Sequence, residues 1–423
     1  MSDPHVSSQD MALRLLHTAD WHLGHALHGF DRAYEHGKLV AWILDTLERE
    51  SVDAVLVAGD VFDGANPPTE AQALWYRFLV DAWRRVPHLQ VVVTGGNHDS
   101  AARLDATDPF LRAMERLHVV GGVTRRGGTP DLERLVVPLR DRAGAVAAHV
   151  AAVPFLRAAE TGAGTEEAVA EGTRRFYGSV LDRARARRSP DQALVAMGHL
   201  YLVGAKVSEL SERRLVLGNQ SAVAHDVFPD DVAYAALGHL HLAQPVGGRE
   251  NVRYSGSLLP LSLKERDYEH EVVLVDLDGR RATRVRSLRL PRFVNVLRVP
   301  DDCEAAPAEE VLAELARLPT RGPGPDAARP LLEVSVLVER PEPTLRQRVE
   351  DAVTGKEARL ARLGVETAGT RRALGDVELK PLAELQPEQV FLRKWEQDFG
   401  GEPAPDLLAA FHELLDSVNQ EQP

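Results

Sequence analysis

The amino-acid sequence predicts an α/β fold in which a parallel sheet carries a polar site along one edge. Apolar stretches of strand length alternate with helical patterns along the N-terminal part of the chain. The first three of these strands are followed closely by Asp20 and His22, by Asp60, and by Asn97 and His98. Because parallel strands that are joined by helices end at one edge of their sheet, we expect these side chains to lie together.

The N-terminal elements follow from hydrophobic periodicity. Residues 13–16 predict a strand, and Val40, Ile43, Leu44 and Leu47 then recur at i, i+3, i+4 and i+7. That spacing is typical of a helix that packs one face on a sheet. The next predicted elements are a strand at 52–58, a helix at 69–85 and a strand at 90–94.

The middle of the chain repeats the pattern of a strand followed by glycine and a metal-ligand type of residue. The predicted elements are a strand at 146–153, a helix at 165–187, strands at 194–197 and 232–237, and short strands at 253–255, 272–277 and 283–288. Two of these strands end at Gly198-His199 and at Gly238-His239-Leu240-His241. The pattern therefore occurs at Asp60, Asn97, His199 and His239, which is more often than chance would give.

The composition of the chain changes near residue 291. Beyond it we predict a small α+β domain, with strands at 294–299, 331–339 and 359–366 and helices at 308–317 and 344–353. Two helical patterns follow, and Leu407, Phe411 and Leu414 share one stripe of the second, which needs a surface to pack on. The predicted domains are a disordered extension at 1–10, a catalytic domain at 11–290, the α+β domain at 291–373 and a helical tail at 374–423.

Composition limits the chemistry of the site. The 423 residues exceed what one core usually holds, and no apolar run reaches the length of a membrane span. No signal peptide precedes the first strand, so we expect a cytoplasmic protein. Cys303 is the only cysteine, which excludes thiolate zinc sites and leaves nitrogen and oxygen as metal ligands. The net charge of −13 argues only weakly against nucleic acid, because bound cations change the local potential.

A set of carboxylate, amide and imidazole side chains suits a pair of divalent ions. In Asp20-x-His22 and His239-x-His241 the two side chains lie on the same side of an extended segment and can face one cavity. Such ligands without sulfur favour Mn²⁺, Fe²⁺ or Zn²⁺ over Ca²⁺. Asp60, a lone acid directly after a strand, is the expected bridge between two ions about 3.5 to 4 Å apart, an arrangement that supports displacement at phosphorus.

The order of these motifs resembles a known family. Asp20-x-His22, Gly59-Asp60-x-x-Asp63, Gly96-Asn97-His98-Asp99, Gly198-His199 and Gly238-His239-x-His241 are similar to the five motifs of the calcineurin-like metallophosphoesterases. Residues 17–24, 96–104 and 254–257 further resemble the SbcD family of nuclease subunits. The resemblance implies a β-sandwich flanked by helices (αββα), followed by the small α+β capping domain and the helical tail.

The resemblance also implies a role for each side chain. Asp20, His22, Asp60 and His241 would hold one metal ion, and Asp60, Asn97, His199 and His239 would hold the other. His98 would be a catalytic imidazole that faces the scissile phosphate. Asp63 would orient His98 and fix its tautomer.

The implied activity is phosphodiester hydrolysis at DNA ends. Members of the family are 3′-5′ exonucleases on double strands and endonucleases on single strands and hairpins, with Mn²⁺ as the metal. Their partner is the SbcC-type SMC-like ABC ATPase, and no ATP-binding Gly-x-x-x-x-Gly-Lys-[Ser/Thr] loop occurs in this chain. The tail stripe would dock on that ATPase, and the capping domain would bind DNA. Trp75, Phe78 and Leu79 on the second predicted helix are candidate homodimer residues, but they could equally pack on the sheet.

Several alternatives remain open at this point. A small-molecule phosphodiesterase or nucleotidase would share every metal ligand, and a non-catalytic scaffold could share the fold. Asp99 is predicted to cap the helix that follows it. Arg103 either meets a phosphate or lies on a helix surface, and His25 and His28 either touch DNA or face solvent. The arginines at 183, 185, 187 and 188 are predicted to form a solvated helix face.

Overall fold

The computed structural model describes residues 13–106, 116–161, 165–206, 222–302, 304–340 and 342–367. The chain divides into a large compact unit, formed by residues up to 336 and residues 343–365, and a second unit of residues 337–342 and 366–423. The predicted N-terminal extension and the predicted tail lie outside the described residues. The domain boundaries at 290 and 373 therefore stay predictions.

The elements of the first half begin with the strand predicted there. In chain order they are β1 (Leu13–Thr18), β2 (Ala26–Leu27), β3 (Phe30–Asp31), α1 (Ala33–Arg49), β4 (Ala54–Ala58), α2 (Thr69–Arg85), β5 (Gln90–Thr94), α3 (Ala101–Ala106), β6 (Leu117–Val120), β7 (Arg125–Arg126), β8 (Thr129–Pro130), β9 (Val136–Arg140) and β10 (Val146–Ala152). The apolar positions predicted for the first helix, Val40, Ile43, Leu44 and Leu47, are all buried.

The second half completes the catalytic region and then forms the α+β region. Its elements are α4 (Ala158–Thr161), α5 (Glu166–Arg187), β11 (Ala193–His199), β12 (Tyr234–Gly238), β13 (Gln244–Val246), β14 (Arg249–Tyr254), β15 (Glu271–Asp278), β16 (Arg281–Arg289), β17 (Val296–Val299), β18 (Ala306–Pro307), α6 (Ala308–Ala316), β19 (Leu331–Val338), α7 (Leu345–Val353) and β20 (Arg359–Thr367). The side chain of Thr165 caps α5 by accepting a hydrogen bond from the main-chain N–H of Ala168.

Twelve of the described strands form two six-stranded sheets, and β17 to β20 form a separate four-stranded sheet in the α+β region. The first sheet has the order β16-β15-β1-β4-β5-β6, and the second has the order β13-β14-β12-β11-β10-β9. Strands β1, β4, β5 and β6 are parallel neighbours, as are β10, β11, β12 and β14. The parallel sheet predicted from the sequence is thus confirmed for the first set of strands. The second sheet arises because the chain leaves the first one after β6 and starts a new set of parallel crossovers.

The two sheets pack face to face and are covered by helices on their outer faces. Leu56 and Val92 of the first sheet share one buried cluster with Val195 and Tyr234 of the second. A separate cluster joins the other face of the first sheet to α1 and α2. Helix α5 covers the second sheet, where its Val180 is fully buried. These layers confirm the αββα sandwich, which places the carboxyl ends of two parallel strand sets side by side.

The candidate homodimer residues of helix α2 lie in the core. Trp75, Phe78 and Leu79 are all buried. The Trp21 ring lies 5.4 Å from that of Trp75 and 4.9 Å from that of Phe78, in edge-to-face contacts. Packing these three large apolar side chains inward removes their area from water, so they are not a free surface.

Within the large unit, the α+β region packs against the sandwich. Val294, Val296 and Leu331 share a buried cluster with Leu27 and Leu263. The Arg359 guanidinium also lies 5.0 Å from the centre of the Phe30 ring. No helix within the described parts of the chain is both long and apolar enough to cross a membrane.

Candidate metal centre

The predicted ligands converge where parallel strands of both sheets end. Asp20 and Asp60 follow β1 and β4, and Asn97 follows β5. His199 is the last residue of β11, and His239 comes directly after β12. The side chains of Asp20, Asp60 and His199 can place one ligand atom each within 4.8 Å of one another, and so can those of His22, Asp60 and His98. The sandwich thereby joins two halves of one site.

The ligand loops adopt a backbone conformation that is rare for residues other than glycine. The φ angles are 51° at Asp20, 45° at His22, 49° at Asp60 and 104° at His239. Such angles are uncommon outside glycine and concentrate at functional sites. Main-chain hydrogen bonds hold the two acidic loops together, from Asp20 N–H to the Gly59 carbonyl at 3.1 Å and from His22 N–H to the Asp60 carbonyl at 3.0 Å.

Asp60 lies at the centre of the site. Its Oδ2 atom is 3.6 Å from Nε2 of His22 and 3.3 Å from Nε2 of His199. Its Oδ1 atom accepts a hydrogen bond of 2.9 Å from the main-chain N–H of His98. The side chain is only 3% exposed. A carboxylate with imidazoles on both sides is placed to bridge two cations.

Three imidazoles are held in the tautomer that a metal needs. The Nδ1–H group of His22 donates to Asp63 Oδ1 at 3.0 Å, and that of His199 donates to the Ala58 carbonyl at 2.9 Å. In His241 the Nδ1–H group donates to Glu265 Oε1 at 3.0 Å. When the ring is neutral, each hydrogen bond keeps the proton on Nδ1 and leaves Nε2 free to bind a metal ion, which is the usual state of a metal-bound histidine.

The Nε2 atom of His22 indicates whether a cation fits the site. Nε2 of His22 is buried, has no hydrogen-bond partner among the described residues and faces the Asp60 carboxylate. A buried acceptor without a partner is costly unless a cation or donor satisfies it. The residues present therefore fit a divalent ion between His22 and Asp60.

A second group of possible metal ligands surrounds the side-chain amide of Asn97. Its Oδ1 atom lies 2.9 Å from Nε2 of His199 and 3.1 Å from Nδ1 of His239. The main-chain N–H of His239 donates to both carboxylate oxygens of Asp20, at 3.0 and 3.1 Å. The side-chain oxygen of Asn97 and the imidazoles of His199 and His239, together with Asp60, form a ligand set without sulfur that suits a second ion.

The electrostatics of the protein alone favour added positive charge. Burial raises the pKa of Asp20 to about 7, and the nearby Asp60 carboxylate adds to that effect. Burial also acts to raise the pKa of Asp60, but the neighbouring histidines, His199 foremost, together lower it. Burial acts to lower the pKa of His199, but the Asp60 and Asp20 carboxylates and the Ala58 carbonyl together raise it to about 9. Two buried carboxylates this close favour bound cations.

His98 and Asp63 meet in a different way from the one expected. The His98 ring is exposed and its Nδ1–H group donates to the main-chain carbonyl of Asp63 at 2.9 Å, not to the carboxylate. The Asp63 carboxylate instead accepts hydrogen bonds from His22 and His25, both at 3.0 Å. The structure thus corrects the expectation, because the loop turns the carboxylate towards His22 and leaves its carbonyl beside His98.

Asp99 is not the cap of the following helix. Its buried carboxylate accepts hydrogen bonds from the main-chain N–H groups of Gly96, Val61 and Phe62, at 2.9, 3.2 and 3.0 Å. Helix α3 begins at Ala101 without this side chain. Asp99 therefore joins the loop after β4 to the loop after β5, and the prediction of a cap is wrong because the loop turns its side chain inward.

The structure places the other candidate residues at different positions. Arg103 donates to Asn66 Oδ1 at 2.8 Å on the surface. The basic run of α5 forms ion pairs within the chain, for example from Arg185 to Asp231 at 2.7 Å. His28 is exposed, whereas His25 donates to Asp63 inside the site.

Sequence reasoning missed Glu265. This carboxylate is fully buried and contacts His241, although no motif spacing connects the two positions. The one available signal is an acidic residue two positions after the largely apolar stretch from Leu258 to Leu263. Glycine at position 96 is also required, because a Cβ atom there would overlap Asp60.

Comparison with known proteins agrees with this geometry. Residues 13–243 match the family model described as calcineurin-like phosphoesterase, and residues 292–399 match the one described as type 5 capsule protein repressor C-terminal domain. The chain is 43% identical over 389 residues to the SbcD subunit of the nuclease SbcCD from Rhodobacter capsulatus, with 90% of this chain and 93% of that protein covered. It is 35% identical over 288 residues to the corresponding SbcCD subunit of Escherichia coli K12, with 66% and 68% covered.

A more distant relative extends the same grouping. The SbcD subunit of the nuclease SbcCD from Bacillus subtilis is 34% identical over 270 residues, with 62% of this chain and 66% of that protein covered. The phosphoesterase match spans more than half of the chain and begins at the first residue of β1. The chain therefore belongs to the calcineurin-like phosphoesterases and, within them, to the family of SbcD nuclease subunits.

Proposed function

We propose that this chain is the nuclease subunit of a DNA-end processing complex and hydrolyses phosphodiester bonds at a pair of divalent ions. The observation that carries the proposal is the buried Nε2 of His22, which has no hydrogen-bond partner in the described part of the chain and faces the carboxylate of Asp60 beside the exposed ring of His98. The relatives, which are named as subunits of the nuclease SbcCD, supply the class of substrate.

Seven residues are proposed to hold the two ions. Asp20, His22, Asp60 and His241 would bind the first ion, and Asp60, Asn97, His199 and His239 would bind the second. Two ions, Mn²⁺ in this proposal, would supply an activated water and hold the phosphate oxygens of the substrate. The nitrogen-rich donor set favours Mn²⁺ over Ca²⁺, which prefers oxygen ligands.

His98 is proposed to act on the substrate and not on the metal. Its Nδ1–H group is engaged by the Asp63 carbonyl, and its ring is exposed at the mouth of the site, 4.8 Å from the ring of His22. From there Nε2 can donate a hydrogen bond or a proton to the leaving oxygen.

The proposed substrates are double-stranded DNA ends, cut in the 3′-5′ direction, and single strands or hairpins, cut internally. The capping region at 291–373 is proposed to bind DNA. The net charge of −13 predicts weak, salt-sensitive DNA affinity for the isolated chain, which the ATPase partner would improve. The location that fits this role is the cytoplasm.

A nuclease assay tests the proposal against a small-molecule phosphodiesterase and a scaffold. End-labelled linear duplex and hairpin DNA are incubated with the full chain in Mn²⁺ or Mg²⁺, beside a chromogenic phosphodiester. We expect cleavage of both DNA substrates with Mn²⁺. Cleavage of the chromogenic compound alone would favour a small-molecule enzyme, and no Mn²⁺-stimulated cleavage at all would favour a scaffold.

The partner is proposed to be an SbcC-type SMC-like ABC ATPase. Leu407, Phe411 and Leu414, the apolar stripe of the predicted tail, lie outside the described residues. The double substitution Leu407→Asp and Phe411→Asp is expected to abolish co-purification with the ATPase, because charge on the stripe opposes burial. Glu413→Gln, at a polar position beside the stripe, is the control and should leave the complex intact. Retained binding by the double variant would place the docking site elsewhere.

A homodimer is proposed through the outer face of α2. Tyr76, Val80 and Trp83 are 36%, 41% and 45% exposed and recur at helical spacing, beside a groove that also includes Leu117. An apolar stripe of this kind is typical of a surface that a second copy covers.

The substitution Trp83→Glu is expected to convert the dimer to a monomer, because it places a charge in that stripe. Light scattering after size-exclusion chromatography would measure the mass. Val203→Glu, at an apolar residue that is 51% exposed elsewhere, is the matched control. A dimer that survives Trp83→Glu would rule out this face.

A further inference from the structure

Glu265 makes two contacts that no motif predicts. Its side chain is fully buried, and Oε1 accepts the Nδ1–H of His241 at 3.0 Å. Its Oε2 accepts the main-chain N–H of Leu261 at 2.7 Å. Both carboxylate oxygens are thus used, one on a proposed metal ligand and one on the loop that precedes Glu265.

His25 makes the corresponding contacts on the other side of the same loop. Its Nδ1–H donates to Asp63 Oδ1 at 3.0 Å, the same oxygen that accepts the Nδ1–H of His22. Its other ring nitrogen, Nε2, lies 3.1 Å from the main-chain carbonyl of Leu261. The His25 side chain is 16% exposed, so it is largely enclosed by these contacts.

Leu261 joins the two sides through its own main chain. Its carbonyl lies at hydrogen-bond distance from His25, and its N–H donates to Glu265. A continuous series of hydrogen-bond contacts therefore runs from His22 to His241. The rings of His22 and His241 lie 5.4 Å apart, although they come from opposite ends of the phosphoesterase sequence. We call Asp63, His25, the Leu261 main chain and Glu265 the orienting link.

We propose that Glu265 and His25 are positioning residues. Through Leu261 they hold the rings of His22 and His241 in the orientation in which both bind the same metal ion. The inference rests on the proposed two-ion function and deepens it. A carboxylate that accepts Nδ1–H directs Nε2 at the metal and makes it a stronger ligand, and loss of such a partner typically costs about 10- to 100-fold in metal affinity.

The orienting link also predicts which of the two ions is bound less tightly when the link is weakened. His199 is oriented by the Ala58 carbonyl and His239 faces Asn97, so neither depends on Glu265 or His25 in the described structure. Weakening the link should therefore loosen the ion held by His22 and His241 and spare the ion held by His199 and His239. A residue that merely stabilised the fold would affect both sites and the melting temperature together.

The test is Mn²⁺ titration of the full chain by calorimetry and electron paramagnetic resonance. Glu265→Gln is expected to weaken one of the two ions by about 10- to 100-fold and to leave the other unchanged. Glu269→Gln is the matched control, because that carboxylate is on the same segment but 62% exposed. DNA cleavage by Glu265→Gln should recover at high Mn²⁺ concentration. Two ions bound with the affinity of the unaltered chain would overturn the proposal.

A second variant guards against misfolding of Glu265→Gln, whose site is buried. His25→Asn can keep the donation to Asp63 but cannot reach the Leu261 carbonyl, and it is expected to weaken the same ion. If the two residues belong to one link, the double variant should lose less affinity than the sum of the single effects. Additive effects on different ions would contradict it. Failure of the unaltered chain to bind two ions would instead overturn the proposed function.

Discussion

His98→Gln is expected to lower DNA cleavage by about 10²- to 10⁴-fold while both ions remain bound. The reason is geometric, because the His98 ring contacts the Asp63 carbonyl through Nδ1 and is exposed on its other side. Glutamine keeps a hydrogen-bonding group there but cannot deliver a proton at neutral pH. Cleavage of end-labelled duplex and the Mn²⁺ stoichiometry, measured on the same preparation, check both halves of this result.

His28→Gln is the matched control for that experiment. The histidine is exposed and lies in the loop after the first motif, so the same substitution should leave cleavage unchanged. Two other outcomes have clear meanings. Cleavage that survives His98→Gln would remove His98 from catalysis. Loss of one ion would make His98 a ligand, which its distance from His22 and Asp60 also allows.

Gly96→Ala is expected to abolish binding of both ions and with it nearly all cleavage. A Cβ atom at this position would overlap the Oδ1 atom and the main-chain nitrogen of Asp60. Asp60 is enclosed by its neighbours and has little room to move, so this carboxylate, which is proposed to bridge the two ions, must shift. Overpacking of this kind also costs roughly 1 to 3 kcal/mol of stability.

Gly64→Ala controls for the effect of an added methyl group close to the same site. A Cβ atom there meets nothing within 4 Å, so stability and ion binding should stay unchanged. Calorimetric Mn²⁺ titration and thermal unfolding of both variants separate the local clash from general destabilisation. Two ions bound normally by Gly96→Ala would show that the loop after β5 relaxes without moving Asp60.

The success of the sequence predictions has a local physical basis. Apolar runs and helical spacing record which side chains are buried, so the strands that precede Asp60 and Asn97 could be predicted without the fold. The type of each polar residue at a strand end already carries its chemistry, which is why the donor set and the family could be identified from motifs. The existence of two sheets was implied by the resemblance alone, since periodicity does not tell which strands are neighbours.

The sequence by itself determined the family, the order of the strands in the chain and the types of the residues that are proposed as metal ligands. Only the tertiary structure decided which groups these side chains contact. The Asp63 carboxylate binds His22, Asp99 joins two loops, and Glu265 binds His241. It also decided that Trp75 lies in the core. Such contacts join segments that are distant in sequence, and their geometry depends on loop conformation. A carboxylate has the same composition whether it binds a metal, caps a helix or orients a histidine, and only its neighbours in space distinguish these roles.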